Sequence, residues 1–215
     1  MQTKIIPAIL VHSLAELKEK IRLTENDFPV LQIDAIDGQF VDHATYYDIE
    51  ELQKIKTVSS FELHLMVNDP LSVIKKVSSP KISRIIFHLE PVGHSAGEII
   101  AEIKRRGAKA GLALNPETPL TELKPYLDKI EIVLLMTVQP GWSGQGFIEA
   151  SYEKIRQLRQ LAKDIEIEVD GGVKDFNLKQ IIAAGVNSPA VGSALLQAAD
   201  YASTVKKLKA AIKSC

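Results

Sequence analysis

Residues 131–138 read EIVLLMTV, and the run from Ile132 to Met136 is apolar at every position. A half-buried strand alternates polar and apolar residues. This one does not, so both of its faces are expected to be covered, as in a central parallel strand. It leads to SYEKIRQLRQLAKD (151–164), an amphipathic helix pattern.

The same order of strand then helix extends in both directions. KIIPAIL (4–10) precedes SLAELKEKIRLTE (13–25), where Ser13 and Glu16 read as a capping box. VLQIDA (30–35) precedes DIEELQKIK (48–56), and FELHLM (61–66) precedes PLSVIKKVS (70–78), with Pro70 at a helix start. RIIFHL (84–89) leads to SAGEIIAEIKRRG (95–107), and KAGLAL (109–114) to PLTELKPYLDK (119–129). EIEVD (166–170) leads to KDFNLKQIIAAG (174–185), and SPAVGSALL (188–196) to YASTVKKLKAAIK (201–213). These eight strand–helix units leave no linker and no second domain. They predict an α/β protein, a single (β/α)8 TIM barrel over residues 1–215. An open doubly wound sheet is the competing arrangement.

Composition agrees with a large core: 46% of residues are hydrophobic, with a mean hydropathy of +0.03. The 26 Lys+Arg nearly balance the 27 Asp+Glu, and a net charge of −1 gives no electrostatic case for nucleic acid or an anionic membrane. No apolar run reaches the roughly 18 residues of a membrane span. The apolar part of MQTKIIPAIL is too short for a signal peptide. The one cysteine, Cys215, has no partner for an internal disulfide, which fits a reducing cytoplasm. A homo-oligomer is left open.

In a TIM barrel, active sites gather at the C-terminal ends of the strands. The polar residues expected there are Asp34, His64, His88, Asn115 and Asp170. Two histidines and two aspartates converging on one mouth suit a divalent metal or proton transfer. Each of them alone reads equally well as a turn cap or a satisfied core residue. Asp37, in IDG, reads as a structural carboxylate that fixes its turn through local N–H groups. Glycine-bearing segments follow the last strands: TVQPGWSGQGF (137–147), DGGV (170–173) and VGS (191–193). Gly171, Gly172, Gly192 and Ser193 are placed to offer backbone N–H groups to a phosphate, with the loop of Gly141, Trp142, Ser143 and Gly144 closing over it.

PAIL, IDAIDGQF, HLMV, LNPETP, MTVQPGWSGQGF, EVDGGV and VGSAL, in this order and spacing, resemble the ribulose-phosphate 3-epimerase family over nearly the whole chain. The related allulose-6-phosphate epimerases share these motifs. The resemblance implies a barrel that interconverts ribulose 5-phosphate and xylulose 5-phosphate. It implies that Asp34 and Asp170 move the protons on opposite faces, through an ene-diolate stabilised by a divalent metal, often zinc. The implied ligands are Asp34, His64, Asp170 and one further position, and the implied sugar-lining methionines are Met66 and Met136, which read equally well as core filler. Departures accompany the matches. The fourth ligand, a histidine in the family, is Gln32; Ala8 replaces a serine, and Ile36, Gln39 and Gln139 replace methionine, histidine and asparagine. Asp42-His43 stands for proline-asparagine. An amide oxygen is a poorer zinc donor than imidazole. The expectation is therefore an epimerase with a weakened metal site. The alternatives are a sugar-phosphate barrel with other chemistry and a non-catalytic relative.

Overall fold

The computed structural model describes residues 3–142 and 144–213. Eight parallel strands close in sequence order into one barrel: β1 (Ile6–Ile9), β2 (Val30–Ile36), β3 (Ser60–Met66), β4 (Ile82–His88), β5 (Lys109–Leu114), β6 (Ile132–Met136), β7 (Glu166–Asp170) and β8 (Ser188–Val191). β8 pairs with β1, so no sheet edge is left, and the open doubly wound alternative is excluded. The helices are α1 (Leu14–Thr24), α2 (Ile49–Lys54), α3 (Pro70–Ile74), α4 (Ala96–Arg105), α5 (Ser151–Leu161), α6 (Asp175–Ala184), α7 (Ser193–Leu196) and α8 (Tyr201–Lys213). Among the described residues none is long and apolar enough to cross a membrane.

Three expectations need correction. Residues 119–129 form only a 3-10 turn over Leu120–Leu123 followed by further turns. Pro125 lacks an N–H and clashes with a preceding turn, so the helical pattern cannot propagate. The segment 188–196 is not one strand. It stops at Val191, and Gly192 (φ −91°, ψ −106°) breaks the ladder before α7. At the start of α1 Ser13 accepts from the Glu16 N–H at 3.2 Å, but the Glu16 carboxylate reaches past Ser13 to the His12 N–H at 2.9 Å.

Side chains alternate across each strand. The outward set, including Ile33, Leu63, Phe87, Leu112 and Val169, packs against the helices in one large core. The inward set divides. Ile86, Ala113, Ile132, Leu134, Met136 and Val138 form a small apolar cluster on the β4–β6 side. Gly111 sits among them because a Cβ there would come 2.8 Å from Ile86 Cγ1. Polar side chains fill much of the rest of the lumen: Gln32, Glu62, His64, His88 and Glu168 are 0% exposed and Arg84 is 3% exposed. Arg84 lies 2.6 Å from Glu62 and 3.0 Å from both Glu166 and Glu168, tying β3, β4 and β7 across the interior. Burial, then the Glu62 charge, push the Glu168 carboxyl well above the ordinary carboxylate range, against the pull of Arg84.

Arg84 is the buried cation of this cluster, and Arg84→Met leaves Glu62 and Glu168 without it in a dry interior, while Glu166 keeps Lys4 at 3.0 Å. We expect a loss of about 3–5 kcal/mol, the usual result of removing one partner of a buried ion pair, read from the midpoint of chemical denaturation. A loss below about 1 kcal/mol would show that the carboxylates take up protons at little cost.

Candidate active site

Closure of the barrel turns strands from opposite sides toward one rim. Asp34 (β2), His64 (β3) and Asp170 (β7) each bring one ligand atom there, and these atoms lie within 4.8 Å of one another. His64 Nδ1 is 3.2 Å from Asp34 Oδ1 and 3.3 Å from Asp170 Oδ2. Gln32, one pleat below Asp34, sends its Nε2 into the same space, 2.7 Å from Asp34 Oδ1 and 2.6 Å from Asp170 Oδ2. Its two N–H groups serve the two carboxylates, and its Oε1 is buried with no hydrogen-bond partner.

The electrostatics follow from this crowding. Burial, then the Asp170 charge, raise the Asp34 pKa above the ordinary carboxylate value, against the hydrogen bonds from His64 and Gln32. Burial opposes a charged His64, but its hydrogen bonds to Asp170 and Asp34 and their charges outweigh this and take it to about 9. The cluster thus calls for positive charge. Two carboxylate oxygens, one imidazole nitrogen and an amide oxygen free to turn inward form a donor set that fits a divalent cation.

Behind His64 lies a second layer. His64 Nε2 is 3.1 Å from His88 Nε2, and His88 Nδ1 is 3.2 Å from Glu90 Oε2. Burial lowers the His88 pKa. Burial works against the Glu90 carboxylate too, but the His88 ring and donors from Asn115 and Thr118 bring it to about 2.

Asp34 and Asp170 border a cleft of about 880 Å³, counting its open mouth. Met66 and Met136 also line it while only 3% exposed, so they fill core and face the cleft at once. Gly141, Trp142, Gly144, Gly171, Gly172, Gly192 and Ser193 complete the predicted lining; Ser143 lies outside the described residues. The glycines differ in cause. A Cβ on Gly171 (φ +115°) would stand 2.3 Å from Val138, and one on Gly172 (φ +66°) 2.4 Å from the Phe147 nitrogen, so loop packing demands both. A Cβ on Gly192 would meet only Ala8, at 3.5 Å, an ordinary contact. Trp142 is 64% exposed, its ring stacked on His43 with centroids 4.5 Å apart, which joins the loops after β6 and β2.

Other expected residues fall elsewhere. Asn115 does not border the cleft; its N–H donates to Glu90 at 2.6 Å. Gln39 is exposed, Ile36 is buried, and the Gln139 amide donates to Glu117 at 2.6 Å. Asp37 behaves as the turn reading requires: Oδ1 accepts from Gln39 and Phe40, and Oδ2 ties the turn to the Asn68 N–H at 2.8 Å. Sequence reasoning missed Lys20 and Lys174, which line the cleft, and Glu90. Lys174 directly follows DGGV, and Glu90 lies two residues past His88, so position pointed to both; nothing local pointed to Lys20 on α1.

The chain is similar to known proteins in sequence and in fold. The model of the ribulose-phosphate 3 epimerase family matches residues 4–196. Ribulose-phosphate 3-epimerase of Serratia marcescens is 37% identical over 92% of this chain and 97% of its own length. The Escherichia coli (strain K12) protein of that name is 33% identical over 97% of this chain and 95% of its own. Among solved structures, 3-hexulose-6-phosphate synthase from Salmonella typhimurium superposes with a TM-score of 0.76 over 99% of both chains at 13% identity, a likeness of fold alone. The chain belongs to the ribulose-phosphate 3 epimerase family, and it is an isomerase of the epimerase kind.

Proposed function

We propose that this chain interconverts D-ribulose 5-phosphate and D-xylulose 5-phosphate in the cytoplasm, as a step of the pentose phosphate pathway, with a resident divalent cation, zinc. The observation that carries the reading is the pairing of Asp34 and Asp170, two carboxylates from separate strands meeting across one cleft. Inverting a carbon beside a carbonyl requires a proton taken from one face and another given to the opposite face, and two opposed carboxylates suit that exchange. The names of the relatives support the substrate.

Asp34 and Asp170 are the acid/base pair of this scheme. The raised pKa of Asp34 suits a group that must alternately hold and release a proton. Asp34, His64 and Asp170 would hold the cation, with Gln32 as the weak fourth donor; bound there, it would stabilise negative charge developing on the substrate oxygen. Met66 and Met136 exclude water beside the reacting carbon. Gly171, Gly172, Gly192 and Ser193 receive the phosphate on backbone N–H groups, and the loop bearing Gly141, Trp142, Ser143 and Gly144 covers it. Because Gln32 offers an amide where imidazole would serve zinc better, zinc is held weakly and turnover is slow.

Asp34→Asn is expected to lower turnover by roughly 10²–10⁴-fold with the circular dichroism and melting of the natural protein retained; an active Asp34→Asn protein would remove the two-carboxylate scheme. Gly192 has room for a Cβ within the fold, so Gly192→Val is expected to fold and to raise KM strongly by obstructing the phosphate. An unchanged KM would place the phosphate elsewhere. For Gln32→His, bound zinc and turnover measured beside the natural protein in one buffer are both expected to rise. Stoichiometric zinc in the natural protein, with no gain in the variant, would contradict a weakened site.

A further inference from the structure

His88 and Asn115 stand at strand ends near the mouth, yet neither borders the cleft. We infer that His88 and Glu90 are positioning residues, a hydrogen-bonded wire that fixes the proton of His64 on Nε2 and so presents its Nδ1 lone pair to a divalent cation. This rests on the reading of Asp34, His64 and Asp170 as a metal centre.

The order of protons follows from the far end of the wire. Glu90 Oε1 accepts from the Asn115 N–H at 2.6 Å and from the Thr118 hydroxyl at 2.6 Å. That strand-end loop is held in turn by Lys154, whose ammonium donates to the carbonyls of Asn115, Pro116 and Thr118 at 2.8, 2.9 and 2.7 Å. With one oxygen so engaged, Glu90 faces His88 Nδ1 with the other, at 3.2 Å. An ionised carboxylate only accepts, so Nδ1 of His88 must carry the proton. The Nε2 of a neutral His88 is then an acceptor, and the hydrogen bond 3.1 Å away obliges His64 Nε2 to donate. The reverse order would set a buried ring lone pair against a carboxylate. Both rings are 0% exposed, and Phe40 packs on His88 with centroids 4.9 Å apart, so no water is needed to complete the chain. A carboxylate that orients a ligating histidine through its second nitrogen is a common device at metal sites; here a second imidazole is interposed.

Nitrogen-15 NMR of the natural, metal-free protein labelled at histidine reads the ring protons directly. The expected result is His88 protonated on Nδ1 alone and His64 carrying a proton on Nε2. A His88 protonated on Nε2 instead overturns the inference. On titration with zinc alone, the large shift is expected at His64 Nδ1, and a shift centred on Nε2 overturns it as well. Glu90→Gln keeps the size of the side chain and removes the charge that orders the wire. Its zinc affinity against a competing chelator is expected to fall about 10–100-fold, with the melting temperature little changed. Natural zinc affinity in that variant would refute the wire. If the natural protein takes up no zinc at all, the metal centre is lost, while the His88 tautomer in the metal-free protein still decides whether the wire exists.

Discussion

Two carboxylates that repel one another are held together at the top of a closed barrel, and much of the surrounding structure answers that constraint. Asp34 and Asp170 bring oxygens within 4.8 Å of each other, where two bare unit charges repel by roughly 3 to 4 kcal/mol at an effective dielectric constant of about 20. Without a cation the repulsion is relieved by neighbours: the Gln32 amide donates to both carboxylates, and His64 lies against both. The amide nitrogen therefore sits where a cation would do the same work more strongly. Barrel closure supplies the rest, because only a sheet without edges can face β2 and β7 toward one another with side chains from both in register at the rim.

Below this layer the lumen repeats the problem one pleat down. Glu62 and Glu168 underlie His64 and Asp170 on the same strand faces, and Arg84 enters from β4 to pair with them. The apolar side of the lumen, from Ile86 to Val138, packs in the ordinary way and carries Met136 to the cleft. A polar column thus reaches down from the site into the interior, with Gln32 beneath Asp34, Glu62 beneath His64 and Glu168 beneath Asp170.

The fold was legible because repetition is a long-range signal. Eight strand–helix units in sequence are read from pattern alone, and IVLLM shows burial on both faces. Boundaries were less so. PLTELKPYLDK has helical periodicity, but Pro125 stops it, and SPAVGSALL reads as one apolar run although Gly192 turns the chain within it. The aspartates and His64 were legible as strand-end polar residues, whereas the roles assigned to them came from the family resemblance. The lumen network is written in a simpler code: FELHLM and EIEVD alternate with period two, placing Glu62, His64 and Met66 on one face of β3 and Glu166, Glu168 and Asp170 on one face of β7. What no local pattern contains is which strands meet across the barrel, and hence that Gln32 lies between Asp34 and Asp170 rather than merely near a ligand set.

The central claim is that Asp34 and Asp170 handle protons on opposite faces of one carbon. Conversion of ribulose 5-phosphate in heavy water, followed at early times by mass spectrometry, tests it most directly. Two opposed groups that exchange with solvent predict product carrying one deuterium at the inverted carbon while the remaining substrate stays unlabelled. Product that retains the substrate's own hydrogen would contradict the account, since a single group, or no proton transfer at all, would then perform the inversion.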